Sequence, residues 1–144
     1  MYIEQIIRAK NDKSMTIGTD ALVVEAAKIM ASEHWGLVVV CSEKEQVVGV
    51  ISGRDIIRAV AEVSGDISVL HVSQLLTDNP FTCALEDDMR DVLKMMNKHY
   101  FRHMPVIQYG KLVGMVSATD ILKFLVEESD MEKRAAIFSN LEFI

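Results

Sequence analysis

One phrase occurs twice in this chain, and that duplication limits the fold more than any other feature. Val47–Val60 reads VVGVISGRDIIRAV and Leu112–Leu125 reads LVGMVSATDILKFL, so Gly49, Ser52 and Asp55 recur as Gly114, Ser117 and Asp120 at one offset. In each copy an uninterrupted apolar run, expected of a strand buried on both faces, passes through a glycine and meets a serine. The apolar spacing then changes to the helical one. A strand that turns directly into a helix leaves the first N–H groups of the helix unpaired, and these groups carry partial positive charge. Ser52, Arg54, Ser117 and Thr119 therefore stand where a phosphate can be held. Asp55 and Asp120 have two readings, as helix caps or as ligand acceptors.

The repeat extends beyond the phrase. Thr16-Ile17 aligns with Thr82-Cys83, Glu25–Met30 (EAAKIM) with Asp91–Met96 (DVLKMM), and Gly36–Val40 (GLVVV) with Arg102–Val106 (RHMPV). Each half reads as a short β segment, a helix, two strands around a tight loop and a second helix, with the loop one residue shorter at Tyr109-Gly110. Neither half is large enough to bury its own sheet face, so the two are expected to pack sheet to sheet as one domain. The boundaries expected are 1–65 for the first repeat with its N-terminal segment, 66–127 for the second, and 128–144 for a helical tail.

Composition removes other classes. The chain has 144 residues, half of them apolar, and a net charge of −6. No Lys/Arg cluster offers the surface that nucleic-acid binding needs. No apolar stretch approaches the roughly 20 residues required to cross a bilayer, and MYIEQIIRAKNDK lacks the order of a secretory signal, so a cytoplasmic location is expected. Cys41 and Cys83 sit in apolar runs without a CxxC and read as buried free thiols. His34, His71, His99 and His103 are scattered without zinc spacing, so no metal is expected. Nucleophile elbow, Walker loop and G-x-G-x-x-G are all missing, and Asp87-Asp88 and Glu127-Glu128 suit solvated helix ends. No catalytic residue is assigned.

The order β-α-β-β-α twice over, with Gly-x-x-Ser-x-x-Asp closing each half, resembles a tandem pair of CBS (cystathionine β-synthase) domains, a Bateman module. The resemblance covers nearly the whole chain up to about Glu127. It implies a mixed α/β (α+β) fold with two repeats packed sheet to sheet about a pseudo-twofold axis, and two clefts between them. One cleft would set Ser52, Arg54 and Asp55 against Pro80, Phe81, Thr82, Arg102 and His103. The other would set Ser117, Thr119 and Asp120 against Ser14, Met15, Thr16 and Gly36. Ser117-Ala118-Thr119-Asp120 fits the family's nucleotide pattern, in which the aspartate accepts from ribose hydroxyls while Thr119 and helix N–H groups meet phosphate. Charge is scarce there, although Lys10 or Lys13 could approach. The first cleft departs from the pattern by carrying Arg54 where Ser or Thr is usual, which loses a hydroxyl and adds a fork suited to phosphate.

The function implied is a non-catalytic regulatory module that senses AMP, ADP, ATP or a related adenosyl ligand such as S-adenosylmethionine or NADH, acting on an unknown target protein. A structural or dimerisation module with vestigial clefts is the alternative. CBS pairs commonly join into discs, so a homodimer is expected. Ile29, Met30, Met95 and Met96 read as core, Trp35 and Phe101 as matching anchors at helix ends, and Tyr100 either as a residue able to stack on a base or as a commonplace exposed aromatic beside a helix end. In the tail, Ser129–Glu132 has capping-box spacing, and Met131, Ala135, Phe138 and Leu141 form a stripe.

Overall fold

The structure is a computed structural model that describes residues 1–10, 16–128 and 135. Its elements run α1 (Ile3–Lys10), β1 (Thr16–Gly18), α2 (Val23–Glu33), β2 (Leu37–Cys41), β3 (Val47–Ser52), α3 (Gly53–Glu62), a 3-10 turn (Val72–Gln74), α4 (Met89–His99), β4 (His103–Gln108), β5 (Lys111–Ser117) and α5 (Ala118–Glu127). From β1 to α3, and again from Cys83 to α5, this is the expected β-α-β-β-α order. The chain forms two compact units. One consists of Ser14–Phe81 with Tyr109–Leu112, the other of Met1–Lys13, Thr82–Gln108 and Val113–Ile144. No helix among the described residues is long and apolar enough to cross a membrane.

In the first-repeat unit β1 runs parallel to β2, and β2 antiparallel to β3, in the order β1-β2-β3. Val38, Val39, Val40 and Ile51 are fully buried, which explains why these strands read as continuous β-branched runs without polar alternation. Val23, Ala26 and Met30 supply the buried face of α2 and join Val38, Val40, Ile51 and Val72 in one core cluster. Each such side chain contributes about 1.5–3 kcal/mol relative to exposure. The segment after α3 closes this core. Val72 N–H donates to the Ala21 carbonyl at 2.8 Å, and Val23 N–H donates to that of Leu70 at 2.9 Å. Leu70, Leu75 and Leu76 pack against the cluster.

In the second-repeat unit β4 pairs with β5. The β segment expected at Thr82-Cys83 shrinks to a single parallel bridge between Cys83 and Val106, held by Cys83 N–H to the Pro105 carbonyl (3.0 Å) and Ile107 N–H to the Cys83 carbonyl (2.9 Å). Pro105 has no N–H to extend such a ladder. Asp88 caps α4 by accepting from Arg90 N–H at 2.8 Å, and Met89, Val92 and Met96 bury its inner face. The helices α2 and α4 end alike, on His34 and Tyr100 with φ of 58° and 59°, the left-handed closure that satisfies terminal carbonyls.

The helix α1 belongs to the unit of the second repeat, whereas the boundaries drawn from the sequence grouped it with the first. Ile3 and Ile6 lie in a cluster with Met89, Val92, Met96, Met104, Val106, Val116, Ile121 and Leu125. Backbone bonds from Ile3 to Asp87 (3.0 Å), from Glu4 to Leu85 (2.9 Å) and from Met89 to Met1 (3.1 Å) fasten it. Reciprocally, the segment that leads into the second repeat closes the unit of the first. Cys41 and Cys83 are buried free thiols. The tail stripe falls outside the described residues except for Ala135, which is exposed.

Candidate functional site

Both Ser-x-x-Asp phrases fold into the same device. Ser52 and Ser117 are the N-caps of α3 and α5, with extended φ, ψ of −106°, 164° and −105°, 158°. Each serine Oγ accepts from the aspartate N–H, at 3.2 Å for Asp55 and 3.0 Å for Asp120. Each aspartate Oδ2 accepts in return from the serine N–H at 2.9 Å. This is a capping box with Asp at the third helical position, and it aims a carboxylate back over the first turn of the helix.

The two carboxylates differ in their surroundings. Asp55 is 7% exposed. Its Oδ2 also accepts from Ser52 Oγ at 2.9 Å, and Arg58, one turn along the helix and largely exposed, stands 3.6 Å from Oδ1. Asp120 is half-buried, and its cation comes from far away in the chain. Lys10, the last residue of α1, donates from Nζ to Asp120 Oδ2 at 2.9 Å and to the Met115 carbonyl at 3.0 Å. The side chains of this ion pair are 23% and 26% exposed. Burial pushes the Asp120 carboxyl up. The Lys10 hydrogen bond, the Ser117 N–H and the Lys10 charge outweigh it and hold the group below the ordinary carboxylate value.

Arg102 and His103 enter the same unit at the start of β4, where the Arg102 carbonyl accepts from Ala118 N–H at 2.8 Å. Burial is the largest influence on the His103 imidazole and lowers its pKa. The Lys10 charge lowers it further, Asp120 opposes, and Arg102 adds a smaller lowering. In the first-repeat unit Gly36 occupies the matching place, its carbonyl accepting from Gly53 N–H at 3.0 Å. Antiparallel pairing requires this, because the register sets Leu37 opposite Ser52 and so brings the start of β2 to the end of β3. Gly36 and Arg102 thus each adjoin the Ser-x-x-Asp turn of their own repeat.

Arg54 and Thr119 lie exposed on the first turns of α3 and α5. Pro80 is half-buried and Phe81 half-exposed, both in the first-repeat unit, and Thr82 is exposed in the other. Thr16 is exposed on β1, and its side chain is hydrogen-bonded to Cys41. Ser14 and Met15 fall outside the described residues. Tyr100 is exposed at its helix end, and Phe101 is half-buried with its ring stacked on His99 at 6.0 Å. Among the described residues no group of three His, Cys, Asp or Glu is arranged to hold a metal ion.

Of the two lysines expected to be able to approach Asp120, Lys10 does so, and Lys13 lies outside the described residues. Ile3, Ile6 and Ile7 have the spacing of an amphipathic helix, but that spacing does not say which carboxylate the lysine at its end will meet.

Comparison with known proteins supports the duplication independently. A CBS domain family model matches residues 5–62 and 72–127. A 17.7 kDa protein of Acidianus ambivalens is 31% identical over 121 residues, spanning 83% of this chain and 72% of that protein. Two further curated relatives are much longer, the chain spanning 23% of one and 43% of the other. Among solved structures, a CBS-domain containing protein from Agrobacterium tumefaciens superimposes with a TM-score of 0.78 at 28% identity, covering 86% of this chain and 98% of that one. A CBS domain pair in complex with 5′-methylthioadenosine and S-adenosyl-L-methionine shares the fold, with a TM-score of 0.74 at 22% identity over 90% of this chain and 98% of that one. Two family matches that together take in most of its length establish that this chain belongs to the CBS domain family.

Proposed function

We propose that the protein is a regulatory module that binds an adenosyl ligand, with AMP, ADP and ATP as the favoured members, at its two Ser-x-x-Asp turns. The observation that carries this reading is the duplicated capping box. At each turn a carboxylate able to accept from ribose hydroxyls is held beside the N-terminal N–H groups of a helix, which suit a phosphate. Pairs of CBS domains are regulatory modules, and one solved pair holds two adenosyl ligands, which supports the class. At the Asp120 turn the Oδ2 atom takes the bonds of Ser117 and Lys10, so Oδ1 is the acceptor assigned to a ribose. At the Asp55 turn Arg54 is assigned to phosphate. Regulation of a target follows if the ligand binds one arrangement of the module better than another.

The second reading is that the boxes are caps alone, in a structural or dimerisation module. The burial of Asp55 and its engagement by both groups of Ser52 favour it at that turn. Pairing of two copies belongs to either reading. Ile57, Val60 and Val63 are 72%, 38% and 39% exposed at three-residue spacing along and just beyond α3, the kind of apolar face a second copy would cover. Sedimentation of wild type and Ile57→Lys tests this, and a monomer at all concentrations would remove the pairing.

Calorimetry and thermal melting with AMP, ADP, ATP, S-adenosylmethionine and NADH test the ligand. A ligand present at 100 times its Kd stabilises by about 2.7 kcal/mol. Heat without turnover is the expected result. Absence of both heat and melting shift from all five would leave the structural reading standing.

A further inference from the structure

We infer that Lys10 sets the ligand preference of the Asp120 turn, making it select an adenosyl ligand that carries a phosphate over an uncharged one. The inference rests on the adenosyl reading above and adds a residue and a charge rule to it. A lone carboxylate at a helix N-terminus repels the phosphate that the helix N–H groups attract, since both sit within one turn of each other. Lys10 removes that conflict. Its Nζ is fixed at 2.9 Å on Asp120 Oδ2 and at 3.0 Å on the Met115 carbonyl, so the ammonium is held by two partners in a part-buried place. Charges so placed are screened less by solvent than a surface pair.

Arg102 adjoins the turn through its own carbonyl, which accepts from Ala118 N–H, and His103 shares the field of Lys10 and Asp120, but its lowered pKa leaves the imidazole neutral at pH 7, so it adds no cation. The carboxylate keeps Oδ1 for a hydroxyl while the ammonium on Oδ2 offsets its charge. At the Asp55 turn the cation paired with the carboxylate is Arg58, 66% exposed and 3.6 Å away on the same helix, where water screens it. The turns then differ through an element that no Ser-x-x-Asp motif contains, the end of α1.

AMP and 5′-methylthioadenosine are the probes, since they share adenosine and differ in the phosphate. Titrations of wild type, Lys10→Met and Lys10→Arg are run in an Asp55→Asn background so that the Asp120 turn answers alone, with circular dichroism verifying the fold of each variant. Lys10→Met should weaken AMP about tenfold, because the Asp120 charge is then left uncancelled beside the phosphate, and leave 5′-methylthioadenosine within about twofold. Lys10→Arg should keep the AMP preference. An AMP-to-methylthioadenosine affinity ratio that is the same with and without the lysine overturns the inference and leaves Lys10 as a structural partner of Asp120. If neither probe binds even the wild type, the adenosyl reading itself fails and takes this inference with it.

Discussion

Val50 and Thr77 exchange both of their backbone hydrogen bonds, at 3.0 and 2.8 Å, clamping the segment before the second repeat across the strand that carries Gly49. A Cβ on Gly49 would collide with the Thr77 carbonyl oxygen and lie 2.8 Å from Leu76 Cδ1. The glycine is needed for close approach of a second backbone, which cannot step aside without losing the clamp. The matching Gly114 is approached only by the Ile7 side chain, with Cδ1 at 2.7 Å, and the end of an isoleucine can rotate. Gly49→Ala should cost about 1–3 kcal/mol by overpacking and Gly114→Ala clearly less. Urea denaturation of the two variants measures this, and equal losses would show that both sites yield alike.

Asp55→Ala should destabilise the ligand-free protein by about 1–3 kcal/mol, because it strands the Ser52 N–H and hydroxyl that the buried carboxylate satisfies. Ser117→Ala removes an N-cap acceptor and the serine side-chain bond to Asp120 and should cost about 0.5–2 kcal/mol. Denaturation without any ligand makes the comparison. An Asp55→Ala protein as stable as wild type would mean that the carboxylate is held in place at a cost, as residues kept for binding often are.

Stability should fall on the acid side in two steps. The folded pKa of His103 lies below its ordinary 6.5, so the unfolded chain binds more protons and stability rises with pH across that interval. The contribution is complete above about 6.5 and is lost as pH falls from there through the folded value. The Asp120 carboxyl is also lowered, from 3.8, and its contribution is lost at more acid pH, as the solution passes through its folded value. Melting temperatures of His103→Gln should flatten the upper step and those of Asp120→Asn the lower. A single step unchanged by either substitution would refute the assignment.

Both thiols should resist alkylation in the native state. Burial, with a smaller contribution from Asp87, pushes Cys83 up to about 12. Burial also raises Cys41 despite the hydrogen bond from Thr16 that works the other way, while Glu45 adds to the rise. The reactive species is the thiolate, so iodoacetamide at pH 8 should label neither until the chain unfolds. Rapid native labelling followed by mass spectrometry at either position would contradict the burial described.

Much of this architecture was legible because duplication and hydrophobic period report local structure. Val38–Val40 had to be a buried strand, and Ser52 and Ser117 had to stand before helices. Contacts that depend on which surface a segment reaches were not legible. Ile3 and Ile6 announce an apolar face without naming its partner, although the resemblance already made Lys10 a candidate to approach Asp120, 110 residues away. Thr82-Cys83 read as a strand because it aligns with Thr16-Ile17, yet only Cys83 makes the ladder, since the facing strand presents Pro105.

The unit of inheritance and the unit of folding are cut from this chain at different points. A fragment ending at residue 65 would keep α1 but lose Leu70, Val72, Leu76 and Thr77, so it would present Gly49 and the β3 edge bare while carrying a helix with no core to enter. The complementary fragment would lack Ile3 and Ile6 and expose the cluster beneath them. Each sequence repeat alone is thus a poor expression target, whereas a permuted chain that opens near residue 14 and keeps residues through 81 together retains one whole core. The exchange of leading segments makes the duplication indivisible, because neither copy carries the piece that finishes it.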